Sequence, residues 1–382
     1  MTYMTDERRL IQEQAREFTL REVLPVANKL DPMQGDIPRS LREKMGELGY
    51  FGILVPEQYG GLGLGCFEYC LVSEELSRGW MSVGSLIVRG NMLIGSHMMS
   101  PEQRRRYFSK MATGEMVGAF AMSEPNAGSD VANLSCRAEK DGDSWRITGN
   151  KYWCTYALEA DFIIVMARTS ANSKRHGGIS MFFVEKEAGK FPEGISGSSI
   201  PKIGYFGMKT YELAFDNFVV PAESMIGEEG KAFYYATHGL ETGRAQTAAR
   251  SIGVARGALE DAIAYSQERV QFGRRISDFQ ATRFKIAEMA AEIEAARQLM
   301  YFVCDQIDNG ERCDREAAMV KYLAGEMSER VTSEGLQIHG GAGYTKLHAA
   351  ERYWRDARLT KIFEGTSEIQ LRVISDSILG KA

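Results

Sequence analysis

Glu364 stands between Phe363 and Gly365 in a chain of 382 residues, in a short interruption between two helical stretches. A carboxylate so placed can project into a cavity, while the glycine lets the backbone approach a bound molecule. Such a group can act as a base toward a weakly acidic carbon-bound proton, provided that a hydride acceptor faces the opposite side of the substrate. Burial beside the aromatic ring is expected to raise its pKa toward working pH. Read alone, the same Glu-Gly-Thr run also favours the start of the following helix through the helix macrodipole.

A second set of residues could form a platform. Trp153 and Thr155 alternate along an apparent strand, which predicts both side chains on one face, an indole covering a flat ring and a hydroxyl bonding its edge. A buried core tryptophan is the plainer alternative. Upstream, a strand ending at Met122 and Ser123 runs into a Pro-Asn-Ala-Gly turn. Its backbone N–H groups and two hydroxyls suit the polar atoms of a ring or a pyrophosphate, although a glycine-rich turn needs no ligand at all. Arg269, Gln271, Phe272 and Gly273 lie at a helix end, and Gln337, Gly340 and Gly341 form a glycine-rich helix stop. An arginine near such a turn can hold a phosphate or simply complement a helix C-terminus.

Arg89 is the conspicuous charge of an apolar helix expected over 82–99. An unpaired buried charge is costly, and one hypothesis is that it meets a distal carboxylate or other polar end of a bound molecule. The ordinary alternatives are a protein carboxylate or a side chain that snorkels to water.

These residues need a scaffold, and the sequence predicts a three-part α+β one. Residues 1–115 read as an all-α domain, with Ser100-Pro101-Glu102-Gln103 as a capping box and Gly114 as a helix stop. Residues 116–228 read as a β domain, with apolar or alternating runs at 116–123, 135–140, 144–155, 161–169, 178–186 and 211–220 and a tight turn at Asp141-Gly142-Asp143. Residues 229–382 read as a four-helix bundle, with helical segments near 231–270, 276–309, 314–338 and 346–380.

Composition narrows the classes. Hydrophobic residues at 44% and charged residues at 25% fit an ordinary globular protein. A net charge of −5, with no basic run longer than Arg104-Arg105-Arg106, does not support nucleic-acid binding. No signal peptide or membrane span is evident, and six cysteines without a CxxC pair suggest neither a disulfide framework nor a metal site. The expected compartment is the cytoplasm.

Five motifs stand in one order: Ala-Met-Ser-Glu-Pro-Asn-Ala-Gly-Ser-Asp at 121–130, Gly-Asn-Lys-Tyr-Trp at 149–153, Gln-Phe-Gly at 271–273, Gln-Ile-His-Gly-Gly-Ala-Gly at 337–343 and Phe-Glu-Gly-Thr at 363–366. Together they resemble the signatures of the acyl-CoA dehydrogenase family, over essentially the whole chain. Cys154 and Tyr156 depart from the usual pattern, as does the run Gly-Tyr-Phe-Gly-Met-Lys at 204–209.

The resemblance implies an N-terminal helical domain, a middle antiparallel, barrel-like β domain and a C-terminal four-helix bundle. It implies FAD as cofactor and α,β-desaturation of an acyl-CoA to the trans-2-enoyl-CoA, with Glu364 taking the α-proton and flavin N5 the β-hydride. An electron-transfer flavoprotein would reoxidise the enzyme, and the assembly would be a homotetramer, a dimer of dimers. Met122, Ser123, Gly128, Ser129, Trp153, Thr155, Thr366 and Glu368 would bind FAD. Arg269, Gln271, Phe272, Gln337, Gly340 and Gly341 would reach the FAD of a neighbouring subunit. Ser129, Glu241, Arg244, Phe363 and Gly365 would meet the substrate, Glu241 through the pantetheine arm and Arg244 by supporting the catalytic loop; no metal is implied. Gly243 occupies the place where some branches carry the base, which leaves Glu364. Arg78, ahead of Met81-Ser82-Val83, resembles the decarboxylating glutaryl-CoA branch, but Leu71 stands where that branch has a glutamate. A flavin monooxygenase or a non-catalytic relative on the same scaffold are the readings from other classes.

Overall fold

The structure, a computed structural model, describes residues 3–91, 98–170 and 176–380. The chain opens with helices α1 (Asp6–Phe18), α2 (Leu24–Leu30), α3 (Arg39–Glu47), α4 (Cys66–Gly79), α5 (Met81–Leu86), α6 (Val88–Asn91) and α7 (Pro101–Ala112). The capping box forms as expected: Gln103 N donates to Ser100 Oγ at 3.1 Å, and Ser100 N donates to Gln103 Oε1 at 2.9 Å. The long helix expected over 82–99 is instead two short ones joined through Ile87, and 92–97 lies outside the described residues.

The strands are β1 (Gly118–Ala121), β2 (Arg137–Asp141), β3 (Ser144–Thr155), β4 (Phe162–Arg168), β5 (Ile179–Glu185), β6 (Ile195–Ser199), β7 (Thr210–Pro221) and β8 (Met225–Ile226). They form one sheet in the order β6-β7-β3-β2-β4-β5-β8, with β1 beside β4. The predicted turn at Gly142-Asp143 joins β2 to β3, Asp141 pairing with Ser144. The barrel-like, antiparallel expectation needs correction. Both β1 and β2 run parallel to β4, and the path from β6 to β8 does not close, so the sheet is mixed and open. Strand β6 escaped prediction because Ile-Ser-Gly-Ser-Ser has a single branched residue, Ile195, and no aromatic one, against three serines and a glycine.

Six helices follow: α8 (Ala232–His238), α9 (Leu240–Glu268), α10 (Gln280–Asp308), α11 (Asp314–His339), α12 (Ala350–Leu359) and α13 (Ser367–Leu379). The segment expected over 346–380 is therefore broken, and the break carries Glu364. Helix α9 is buried without interruption from Arg244 to Leu259, polar residues included. It has no water-facing side there because α4 packs on it, with α10 and α11 also against it. Gly253 permits the α4 contact: a Cβ at that position would lie 2.2 Å from Glu74 O. No helix among the described residues is long and apolar enough to cross a membrane.

The close approach creates a buried charge network. Arg256 pairs with Glu74 at 2.9 Å and with Glu75, while Arg297 of α10 reaches Glu74 at 3.0 Å. Removing one partner strands the others in a medium that solvates them poorly. Glu74→Ala is therefore expected to destabilise the fold by about 3–5 kcal/mol, read as a lower urea midpoint; an unchanged midpoint would show that the network carries little weight.

Candidate active site

Between α12 and α13 the backbone of Glu364 adopts φ 53°, the left-handed region. A side chain there costs about 1–3 kcal/mol and persists only where its surroundings over-determine it. Thr366 Oγ1 accepts from Ile369 N and starts α13. Gly365 O accepts from Lys321 Nζ and, at 3.0 Å, from Gln370 Nε2. The Phe363 ring lies 4.7 Å from the Arg250 guanidinium and meets Tyr205 edge-on at 5.9 Å.

The carboxylate of Glu364 turns toward α9. Its Oε1 accepts from Arg250 Nη2 and its Oε2 from Thr247 Oγ1, each at 2.6 Å. Arg250 is sealed at 1% exposure, whereas the glutamate side chain is 40% exposed, so the carboxylate is open on one side with its counter-charge behind it. Capping of α13 is done by Thr366 two residues later, and the macrodipole alternative does not describe the arrangement. Burial pushes the carboxyl up, but the Arg250 cation and the Thr247 hydroxyl more than offset this and hold it below the usual glutamate range. The expectation of a raised pKa is thus reversed: it reckoned with Phe363 and not with a guanidinium from α9.

Motif spacing missed Arg250, Thr247 and Lys321. A signal was present, because Arg250 is the single charge between Arg244 and Arg256 in a run of mostly small and apolar residues. Arg244, expected to support the substrate and the catalytic loop, donates to Asp314 O at 3.3 Å. Glu241 Oε1 accepts from Cys313 N at 2.8 Å, so both residues close the start of α11. The fold also brings together Cys66, Cys70 and Cys304, which linear spacing had kept apart; Cys66 Sγ lies 3.9 Å from each of the other sulfurs, and all three are buried.

The platform residues assemble around a bulge. The β3–β7 register jumps between Lys151 and Cys154, and Trp153 has φ 63°, so the strict alternation expected for Trp153 and Thr155 is interrupted. The indole is 56% exposed, which removes the core-tryptophan reading. Tyr152 N donates to Ser123 O at 2.8 Å and Lys151 Nζ to Met122 O at 2.9 Å, seating the first motif against the second. Beneath them Lys151 and Glu124 form a buried pair at 2.9 Å, and Glu124 also accepts from Ser135 N and Cys136 N. Burial would raise this carboxyl, but Lys151 and the two N–H groups hold it below its ordinary value. Gly128 and Ser129 are exposed on the turn beyond, and the Thr155 and Thr210 hydroxyls are 3.1 Å apart. An exposed indole beside strand-end polar groups fits a flat conjugated ring such as that of FAD.

The departing run at 204–209 joins this rim to the carboxylate wall. Lys209 O accepts from Tyr156 N at 2.7 Å, while Tyr205 packs on Phe363 and its N donates to Asp356 at 2.6 Å. Elsewhere, Gln271, Phe272 and Gln337 line one surface groove of about 360 Å³ with Phe279 and Ile338. Arg269 and Gly340 cap the ends of α9 and α11, and Gly341 is exposed beside Gly340. Thr366 and Glu368 begin α13.

A helical, sheet, helical chain with a partly exposed, ion-paired carboxylate and an exposed strand-end indole, joined by one loop, fits a flavin-dependent oxidoreductase. The chain matches the acyl-CoA dehydrogenase N-terminal domain over residues 5–115, the middle domain over 119–218 and the C-terminal domain over 230–379. It is 40% identical to (2S)-methylsuccinyl-CoA dehydrogenase of Cereibacter sphaeroides, covering 98% of this chain and 70% of that one. It is 37% identical to the caffeyl-CoA reductase-Etf complex subunit CarC of Acetobacterium woodii, covering 99% and 100%. The solved butyryl-CoA dehydrogenase of Megasphaera elsdenii superposes with a TM-score of 0.92 at 34% identity, over 98% of this chain and 99% of that one. The protein belongs to the acyl-CoA dehydrogenase family, a family of FAD-dependent oxidoreductases.

The Arg250 contact predicts a pH signature. With the cation present the carboxyl stays ionised through neutrality, and the acid limb of kcat/KM lies below the ordinary glutamate range. Arg250→Met removes the largest influence opposing burial and leaves mainly the Thr247 hydroxyl, so the limb is expected to move to higher pH; a limb that stays in place would sever the arginine from the titration.

Proposed function

We propose that this enzyme desaturates an acyl-CoA thioester between its α and β carbons, with Glu364 as the base. The carrying observation is the Glu364 carboxylate, held ionised by Arg250 and Thr247 and open to the cleft. Glu364 accepts the α-proton as charge moves onto the thioester carbonyl, and its own backbone N–H is the group proposed to stabilise that developing oxyanion. A depressed pKa makes the free carboxylate a weak base. Substrate filling the cleft displaces water from its open side, which strengthens it where the proton is taken. Bound FAD supplies the two-electron oxidant that takes the β-hydrogen as hydride.

We assign Met122, Ser123, Trp153 and Thr155 to the flavin ring, and Gly128 and Ser129 to the diphosphate or the substrate. Thr366 and Glu368 are further FAD contacts. Phe363 and Gly365 flank the thioester, Glu241 retains the pantetheine arm through its second oxygen, and Arg244 backs the substrate from the start of α11. Domain limits at 115/116 and 228/229 follow the change from helix to sheet and back. Arg78, the residue that suggested a decarboxylating branch, is engaged by Glu260 at 2.8 Å, Asp261 at 3.1 Å and the Tyr353 hydroxyl at 3.2 Å, so plain dehydrogenation is preferred.

Arg269, Gln271, Phe272, Gln337, Gly340 and Gly341 are assigned to the FAD of a neighbouring subunit in a homotetramer. Supporting this, Phe272 is 94% exposed in the single chain at the mouth of its groove. The likeness to a subunit of an Etf complex supports an electron-transfer flavoprotein as acceptor, and six unbonded cysteines suit the reducing cytoplasm.

Glu364→Gln should retain FAD yet slow flavin bleaching by about 10³-fold or more; bleaching at the wild-type rate would remove Glu364 from the reaction. Phe272→Glu should shift the assembly to smaller species in light scattering and release flavin. Unchanged mass and flavin content would refute the shared site.

A further inference from the structure

Ser82, Ser85 and Arg89 recur at helical spacing along α5 and α6, three and then four residues apart, and therefore share a face. Two contacts fix where that face points. Ser82 Oγ donates to Phe206 O in the loop that carries Tyr205, and Ser85 Oγ accepts from Arg250 Nη1 at 2.9 Å. The opposite side of α6 is pressed into the N-terminal core. A Cβ on Gly90 would lie 2.6 Å from Phe51 O, and Asn91 is fixed by Leu54 N at 3.0 Å and Tyr50 O at 3.0 Å. The Arg89 side chain is thereby directed to the wall that holds Arg250 and Glu364, and its charge bears on Glu364, Tyr205 and Cys154.

The charges there do not balance. Arg250 is matched by Glu364. Among the described residues Arg89 forms no ion pair and donates no hydrogen bond, and its Nε is buried without a partner. Two ammonium groups also lie nearby, Lys321 held by Gly365 O and Lys202 by the carbonyls of Tyr205 and Met208 at 2.9 and 2.7 Å; they add positive charge and supply no anion for Arg89. A plain alkyl chain entering this cleft would remove water from Arg89 and offer nothing in return. A second carboxylate on the acyl chain would do the opposite. It would accept a forked, charge-assisted pair from the guanidinium and give each of the two guanidinium groups an anion of its own.

We propose that Arg89 forms a carboxylate subsite and that the substrates are short dicarboxylyl-CoA thioesters. This rests on the desaturase reading and specifies its acyl group. The chain must be short, because the α-carbon sits at Glu364 and the carboxylate must reach a cation on the same wall. The ion pair would also hold the distal carboxylate in place during oxidation, as expected for dehydrogenation without loss of carbon dioxide.

The test uses FAD-loaded enzyme and anaerobic flavin reduction with succinyl-, methylsuccinyl- and glutaryl-CoA against butyryl-, 2-methylbutyryl- and valeryl-CoA. The best dicarboxylyl thioester should exceed its monocarboxylic counterpart in kcat/KM. In Arg89→Met that ratio should fall by about 10- to 100-fold, mainly through KM, with Arg89→Lys recovering part of it. Equilibrium titration of the oxidised enzyme with glutaconyl-CoA and crotonyl-CoA, which differ by the terminal carboxylate, should show the same loss of preference without turnover. A wild type that prefers butyryl-CoA, or a ratio equal in wild type and Arg89→Met, overturns the subsite and leaves the desaturase reading standing. A wild-type flavin that none of these thioesters reduces overturns the subsite, and overturns the desaturase reading as well if long-chain and aromatic acyl-CoAs also leave it oxidised.

Discussion

The salt bridge between Arg250 and Glu364 is the contact around which the cleft is organised. A carboxylate facing a pocket that must exclude water would drift toward its neutral form, because burial disfavours charge. A guanidinium 2.6 Å behind it keeps it ionised while leaving its open side free for chemistry. The arrangement requires an arginine that cannot wander into the cleft itself. Arg250 meets that requirement because Ser85 Oγ, Thr247 Oγ1 and the Phe363 ring hold its guanidinium on three sides.

That arginine can be buried only because its helix is. Helix α9 is enclosed from Arg244 to Leu259, and the enclosure depends on α4 approaching to a distance that tolerates no side chain at Gly253. The same approach forces Glu74 and Glu75 into contact with Arg256, so the cost of burying charge recurs one helical turn or more away from the site and is met in the same way. Packing and catalysis thus share one constraint, which is that each buried cation on α9 needs an anion supplied by another part of the chain.

Much of this was legible in the sequence. The capping box at Ser100, the turn at Gly142, the long bundle helices and the motifs carrying Glu364, Trp153 and Gln337 are local features, set by residue type and short-range spacing. What stayed hidden was set by tertiary contact. Arg250 lies 114 residues from Glu364 in the chain, and no periodicity links them, so the direction of the glutamate's pKa shift could not be inferred from Phe363 alone. The open, mixed sheet was hidden for a similar reason, since β1 joins β4 only after the β2–β3 hairpin has been laid between them in sequence. Arg244 and Glu241 lie on α9, yet their contacts are decided by where α11 begins, which no local spacing shows.

Backbone strain marks the site in a way that sequence patterns do not. Among the described residues, seven that are not glycine have positive φ, and five of them, Trp153, Tyr156, Tyr205, Phe272 and Glu364, lie at the platform, the joining loop, the groove or the base. Aromatic residues are poor candidates for that conformation, and nothing in their local sequence asks for it. Three of them are held from outside: Tyr156 N by Lys209 O, Tyr205 N by Asp356, and Glu364 by Arg250, Thr247 and the contacts to Gly365. Strain of this kind survives only where several independent contacts oppose its release. Trp153 and Glu364 belong to different regions of the chain, and the Gly204–Lys209 run bonds to both sides. The relative placement of ring platform and base therefore rests on a loop whose sequence departs from the family pattern, and whose hydrogen bonds, rather than its residue types, carry the geometry.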